Sequence, residues 1–178
     1  ICRRFKIPPC LCLHMVCSDR YTIKHMGEIY AIRHGEAHQR LESDFGASYS
    51  LTAKGRDAVL ETGRALRMQL SPLDITGIEC APTLRSADSA KLVAGALETS
   101  ASVSEKPSLQ HRGVEASRLL FELNQWTYDK KTGVYVCAMS RRAIVALLAP
   151  VLGLTPAEID ANESESDIEI PCASVTRL

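Results

Sequence analysis

Glu28-Ile29-Tyr30-Ala31-Ile32-Arg33-His34-Gly35-Glu36 is the stretch on which the fold turns. A short apolar run breaks at an Arg-His-Gly corner, which reads as a buried strand followed by a glycine turn. A polar loop, 36–50, follows, and Leu51-Thr52-Ala53-Lys54-Gly55 opens a helix with Thr52 as its N-cap. Val59, Gly63, Leu66 and Leu70 then recur at three- and four-residue spacing, as one buried face requires, until Pro72 ends the run. Ile75 to Cys80 reads as a second strand, and Pro82 sits where a second helix can begin, with Ala90, Val93, Ala94 and Leu97 as its apolar stripe. Residues 101–104 are a third strand and 114–126 a helix with Leu119, Leu120 and Leu123 inward. Gly133 to Ala138 is a fourth strand, rich in Val. The helix after it carries Ala143, Ala146, Leu147 and Val151 on one face, and Pro171 to Leu178 is a closing strand. Strand and helix alternate throughout, so the expected class is α/β: three layers, with a mainly parallel sheet flanked by helices.

The 178 residues suit one domain, 27–178, with an N-terminal extension, 1–26. A chain that is 46% hydrophobic and 24% charged can bury a core and is not a disordered polymer. Lys and Arg number 21, as do Asp and Glu, so there is no basic excess to neutralise the phosphates of duplex nucleic acid. No apolar run reaches the length of a membrane span.

Seven cysteines cannot all pair within one chain. Cys80, Cys137 and Cys172 lie in apolar or small-residue stretches and read as buried thiols of a reducing intracellular compartment. Cys2, Cys10, Cys12 and Cys17 crowd the extension, whose first 18 residues hold Arg3, Arg4 and Lys6 but no acid. Such a leader resembles the flank of an organellar transit peptide, which favours a mitochondrial setting. Cys10, Cys12, His14 and Cys17 could offer zinc three thiolates and an imidazole, although their spacing lacks the usual paired pattern. The reading preferred is an extended arm carrying free thiols, with no metal and no cofactor. At the other end, Glu158, Asp160, Glu163, Glu165, Asp167 and Glu169 form an acidic stretch, read as a solvated loop or a docking surface for a basic partner.

In α/β sheets ligands bind at the carboxyl ends of the strands. There the sequence places Arg33-His34-Gly35-Glu36, then Pro82-Thr83-Leu84-Arg85, then Met139-Ser140-Arg141-Arg142. Arginine forks match phosphate oxygens, and histidine can act as a nucleophile. Gly35 lets the backbone turn tightly beside a ligand.

The segment ending in Arg33-His34-Gly35-Glu36 resembles the Arg-His-Gly-Glu signature of the histidine phosphatase superfamily, the phosphoglycerate-mutase-like proteins. Leu51 to Gly55 is similar to that family's Leu-Thr-x-x-Gly element, and Cys80 to Ala90 to its Ser-Ser-Pro-x-x-Arg-Ala-x-Gln-Thr-Ala segment. Val134 to Leu148 resembles its Val-Val-Ser-His-Gly strand-to-helix element, and Ile170 to Leu178 its closing Asn-x-Ser-Val-Thr-x-Leu strand. Five motifs in order, over roughly residues 27–178, are more specific than any one. The resemblance implies that His34 attacks phosphorus while Arg33 and Arg85 clamp the phosphoryl oxygens, with no metal required.

The chain departs from the pattern in four places. Ser140 stands where the second family histidine falls, and a neutral hydroxyl does not replace a cationic imidazole. Arg141 and Arg142 replace the glycines that usually follow; they supply substitute positive charge, obstruct the pocket, or face solvent. The usual acidic residue of a Leu-x-Glu element becomes His111 after Leu109-Gln110, with Glu115 as an alternative proton donor. Arg40 replaces an Asn often found after the first motif. The segment from Leu109 to Gly133 lacks the insertion that covers the site in larger members, which implies an open pocket. The expectation is a degenerate histidine phosphatase domain with little or no catalysis that binds a phosphate-bearing ligand. Its role would be structural or regulatory, beside protein partners in a larger assembly. The alternative is an active phosphomonoesterase or phosphoprotein phosphatase working through phospho-His34 with Arg141 or Arg142 in the altered pocket. A thiol-based metal or redox module on the N-terminal cysteines is a third reading.

Overall fold

The computed structural model describes residues 27–38, 49–109, 115–129, 133–161 and 170–177. Among these residues the strands are β1 (Glu28–Arg33), β2 (Ile75–Cys80), β3 (Val103–Glu105), β4 (Val134–Met139) and β5 (Val175–Arg177). The helices are α1 (Ala53–Arg67), α2 (Leu84–Leu97), α3 (Ala116–Asp129), α4 (Arg141–Leu152) and α5 (Pro156–Ala161), with a 3-10 turn at Pro107–Leu109. The strands form one sheet in the order β3-β2-β4-β1-β5. β1 with β4, β4 with β2 and β2 with β3 are parallel, and β5 lies antiparallel on β1.

Strand side chains alternate between the two faces of a sheet, so each central strand feeds two cores. Tyr30, Ile32, Ile78, Cys80, Val136 and Ala138 pack with Val59 and Leu66 of α1 and Val93 and Leu97 of α2. Ile29, Ala31, Cys137 and Met139 pack on the other face with Leu119 and Leu123 of α3, Ile144 of α4 and Ile159 of α5. Glu79 is a buried carboxylate on that second face. Its Oε2 accepts a 2.6 Å hydrogen bond from the Trp126 indole, and Lys106 Nζ lies 3.8 Å from its Oε1. The pair ties β2 to α3 without leaving the carboxylate unpaired.

The expected class and strand order of appearance hold, and several details change. The closing strand begins at Val175, not Pro171, because Pro171 has no N–H for a ladder and Ala173 turns into the left-handed region at φ 59°. That turn leaves Cys172 exposed, whereas Cys80 and Cys137 are buried as expected. The acidic stretch is not all loop, since α5 takes up its start. Thr155 Oγ1 accepts from the Glu158 N–H and the Glu158 carboxylate accepts from the Thr155 N–H, a reciprocal capping box. On α4, Val151 is exposed instead of inward, and Ile144, Val145 and Leu148 carry the burial. No described helix is long and apolar enough to cross a membrane.

Candidate active site

The first half of the site is the corner where β1 stops. The β1–β4 ladder pairs Arg33 with Met139, and the His34 N–H donates 3.0 Å to the Met139 carbonyl. From there the chains diverge, β1 turning through Gly35 toward α1 and β4 entering α4 on the opposite face. A crevice at such a divergence, on the carboxyl ends of the strands, is where doubly wound sheets hold ligands. His34 and Ser140 are therefore brought together by the register, and both are buried, at 8% and 6% exposure.

His34 Nδ1 lies 2.9 Å from the Gly35 carbonyl oxygen. An acceptor there places the ring proton on Nδ1 and leaves Nε2 as the basic nitrogen. That tautomer is the one a phosphorus nucleophile needs.

Arg33, half-buried, directs Nη1 to the carbonyl of Ile170. Among the described residues it meets no carboxylate, and its buried Nε has no hydrogen-bond partner there. The segment 170–174 buttresses this arginine and its neighbour from outside. The Arg33 N–H donates to the Ser174 carbonyl, and the Ala173 N–H donates back to the Arg33 carbonyl, each at 3.0 Å. Thr62 of α1 bonds the Ala173 carbonyl at 2.6 Å.

Gly35 is required by space. A Cβ built there meets the Gly55 carbonyl at 2.5 Å and Val59 Cγ2 at 2.8 Å, so the turn is pressed against the first turn of α1. Thr52 caps that helix as expected, its Oγ1 accepting from the Gly55 N–H at 2.9 Å. The same hydroxyl donates to Glu36 Oε1 at 3.1 Å, and Lys54 pairs with Glu36 at 3.3 Å. The Thr52 bond first, and the Lys54 ammonium next, hold the Glu36 carboxyl below its ordinary pKa.

Arg85 comes from the first turn of α2, whose N-cap is Thr83. The Ala81 N–H, donating 3.0 Å to Ala138, fixes the approach of that turn to β4. Ser140 is the N-cap of α4, with Oγ accepting from the Ala143 N–H at 3.2 Å. The cap explains why a hydroxyl is well accommodated where an imidazole is expected. Of the two arginines that follow, Arg142 is buried, at 9% exposure, and Arg141 is half-buried. The deeper cation is therefore Arg142, and the solvent-facing alternative fails for it.

Several expected residues are not among those described at this site. His111, Arg40 and the Cys10, Cys12, His14 and Cys17 cluster lie outside the described residues. Glu115 is exposed just before α3. Among the described residues no three His, Cys, Asp or Glu side chains converge as metal ligands. Sequence reasoning missed Ser89, which is fully buried on α2 and bonded to the Gly35 N–H at 3.1 Å. The only hint was a serine at i+4 from Arg85, on the helix face that must meet the sheet.

No family model matches the sequence, and no curated protein does. Solved structures do match. The phosphoserine phosphatase of Entamoeba histolytica, solved with 3-phosphoglyceric acid, aligns over 85% of this chain and 90% of its own, with a TM-score of 0.63 at 13% identity. The protein histidine phosphatase SixA complexed with tungstate aligns over 84% and 86%, with a TM-score of 0.60 at 18% identity. Phosphoglycerate mutase from Bacillus anthracis aligns over 86% and 88%, with a TM-score of 0.63 at 13% identity. With the sheet order, the corner after β1 and the arginine turn of α2 in place, the chain has the fold of the histidine phosphatase superfamily, the phosphoglycerate-mutase-like proteins.

Proposed function

We propose that this chain is a phosphoryl-binding domain of reduced catalytic power, holding a phosphate-bearing ligand between Arg33, His34, Arg85 and Arg142. The observation that carries the reading is Ser140. Its hydroxyl accepts a helix-cap bond at the position where the family resemblance expects a cationic imidazole. Arg33, whose guanidinium meets a carbonyl oxygen and no described carboxylate, supports an anion as the missing partner. Losing one preorganised group at a reacting centre typically costs about 10²–10³ in rate. Its role is then that of a binding or regulatory subunit, with residues 1–26 and the acidic run from Glu158 to Glu169 as segments for protein partners. The acid-free composition of residues 1–18, with Arg3, Arg4 and Lys6, is the support for a mitochondrial setting.

The second reading is a working phosphomonoesterase, and the burial of Arg142, two residues after Ser140 in the first turn of α4, favours it by keeping a cation at that helix start out of solvent. His34 Nε2 would attack phosphorus as the ester oxygen departs and takes up a proton from an acid such as His111. Water would then cleave the phosphohistidine, releasing phosphate and restoring the imidazole. Phosphate release from an aryl phosphate by wild type, His34→Ala and Ser140→His separates the two. The first reading expects wild type at the His34→Ala blank and turnover gained in Ser140→His. Wild-type turnover abolished by His34→Ala sinks it and establishes the second.

A further inference from the structure

Ser89 is wholly buried on α2, four residues after Arg85. Its hydroxyl makes two hydrogen bonds of opposite sense. It donates to the carbonyl of Arg85 at 2.7 Å and accepts from the N–H of Gly35 at 3.1 Å. A hydroxyl has one proton, and bonding it to the carbonyl one helical turn back fixes where the lone pairs point. Those lone pairs face the first backbone N–H left over after the β1–β4 ladder has ended, since the His34 N–H takes the Met139 carbonyl.

From these contacts we infer that Ser89 is a positioning residue that sets the spacing and orientation of the two halves of the phosphoryl site. The inference rests on the reading of that site given above and deepens it. On one side Ser89 grips the backbone of the arginine turn. On the other it holds the peptide joining His34 to Gly35. The Gly35 carbonyl in turn takes the Nδ1 proton of His34, so the angle of Gly35 decides where Nε2 points. The turn cannot settle elsewhere at low cost, because the Gly55 carbonyl and Val59 press on it from α1. Displacements of about 1 Å at such groups are costly to a site that works by preorganisation. The work at position 89 needs a strong donor and a strong acceptor on one atom, which a hydroxyl has and a methyl or a thiol does not.

The test uses the full chain as wild type, Ser89→Ala, Ser89→Thr and Ser89→Cys. Tungstate, a phosphate-like oxyanion, is titrated by calorimetry. Gly35 amide exchange and the His34 ring nitrogens are followed by NMR. Ser89→Ala is expected to weaken tungstate about tenfold, to speed Gly35 exchange by about tenfold or more, and to shift the His34 ring away from the Nδ1–H tautomer. Ser89→Thr, which keeps the hydroxyl, is expected to restore all three readouts. A merely structural serine would lower the unfolding midpoint without moving the His34 ring or the tungstate affinity. Unchanged Gly35 and His34 signals in folded Ser89→Ala overturn the inference. If Ser89→Ala does not fold, Ser89→Cys carries the comparison, and signals identical to wild type overturn it equally. If wild type ignores tungstate, the phosphoryl reading fails, and the Gly35 and His34 signals still decide the role of Ser89.

Discussion

Replacing Gly55 by alanine probes the contact on which the corner after β1 depends. A methyl built at Gly55 lies 2.0 Å from the Glu36 carbonyl oxygen and 2.8 Å from its nitrogen. Both are backbone atoms, so no rotamer change relieves the overlap, and the carbonyl must retreat by about 1 Å. That carbonyl accepts the Thr52 N–H at 2.9 Å, a bond that would be lost at the start of α1. Overpacking of this kind costs about 1–3 kcal/mol, and the hydrogen bond about 1 kcal/mol. The better helix propensity of alanine returns at most about 1 kcal/mol. The net expectation is a destabilisation of about 1–3 kcal/mol, or roughly 2–12 °C in Tm for a chain of this size. Gly95 of α2 is the internal control. Nothing lies within 4 Å of a Cβ there, so the same substitution is expected to stabilise by up to about 1 kcal/mol. Urea unfolding of both variants checks the pair. If Gly55→Ala falls within about 0.5 kcal/mol of wild type, or if both shift in the same direction, the close approach of α1 to the corner is refuted.

Thr52→Ala removes the α1 cap, which is expected to cost about 1 kcal/mol, and with it the hydrogen bond that does most to hold the Glu36 carboxyl below its ordinary pKa. Because the folded pKa of Glu36 is depressed, its contribution is present above the unfolded value and fades as pH falls through the folded value. In Thr52→Ala the Glu36 titration, followed by carboxyl NMR, moves back up toward its ordinary value; a titration that stays put contradicts the hydrogen bond. Thiol chemistry separates the two sheet faces from the turn. Burial first, then the nearby Glu105 charge, pushes the Cys80 thiol up to about 11, whereas Cys172 is exposed. Iodoacetamide at pH 8 followed by peptide mapping should mark Cys172 in the native protein and Cys80 only after unfolding. Equal labelling of the two would contradict the packing of Cys80 between β2 and the α1–α2 layer.

The sequence showed most clearly those elements where one physical requirement dominates. β1 and β4 are buried on both faces over most of their length, so residues 29–32 and 134–139 read as apolar runs, and Thr52 announced α1 because a hydroxyl before an apolar-periodic run has few better uses. What failed was decided by tertiary geometry. Nothing local distinguishes Pro171-Cys172-Ala173-Ser174 from a strand start until the turn is seen gripping Arg33. Arg141 and Arg142 are chemically alike, and which of them points inward depends on the phase of α4 relative to the sheet. By contrast, Thr155-Pro156-Ala157-Glu158 carried a capping box and a proline at the first helical position, and α5 could have been read from it. Ser89 was illegible for a different reason. A serine inside a helix is ordinary, and its importance lies wholly in what the β1 corner brings to it.

The same separation between local chemistry and geometry bears on what the proposed loss of catalysis would involve. Groups that bind the ground state and the transition state equally give affinity, and only those that strengthen in the transition state give rate. Arg33 and Arg85 are cations in either state, so a dianionic ligand should keep most of its affinity with Ser140 in place. Under the proposed reading the second imidazole that the family resemblance expects is a different kind of loss, since its donor would face charge that develops on the phosphoryl oxygens during transfer. Ser140→His should therefore raise turnover above the blank while leaving the Kd of inorganic phosphate nearly unchanged, a split a generic gain in folding or affinity would not produce. A fall in that Kd with no turnover gained would mean that the new imidazole only adds ground-state charge. The deficit would then lie in the geometry around Arg142, at the start of α4, and not in the missing histidine.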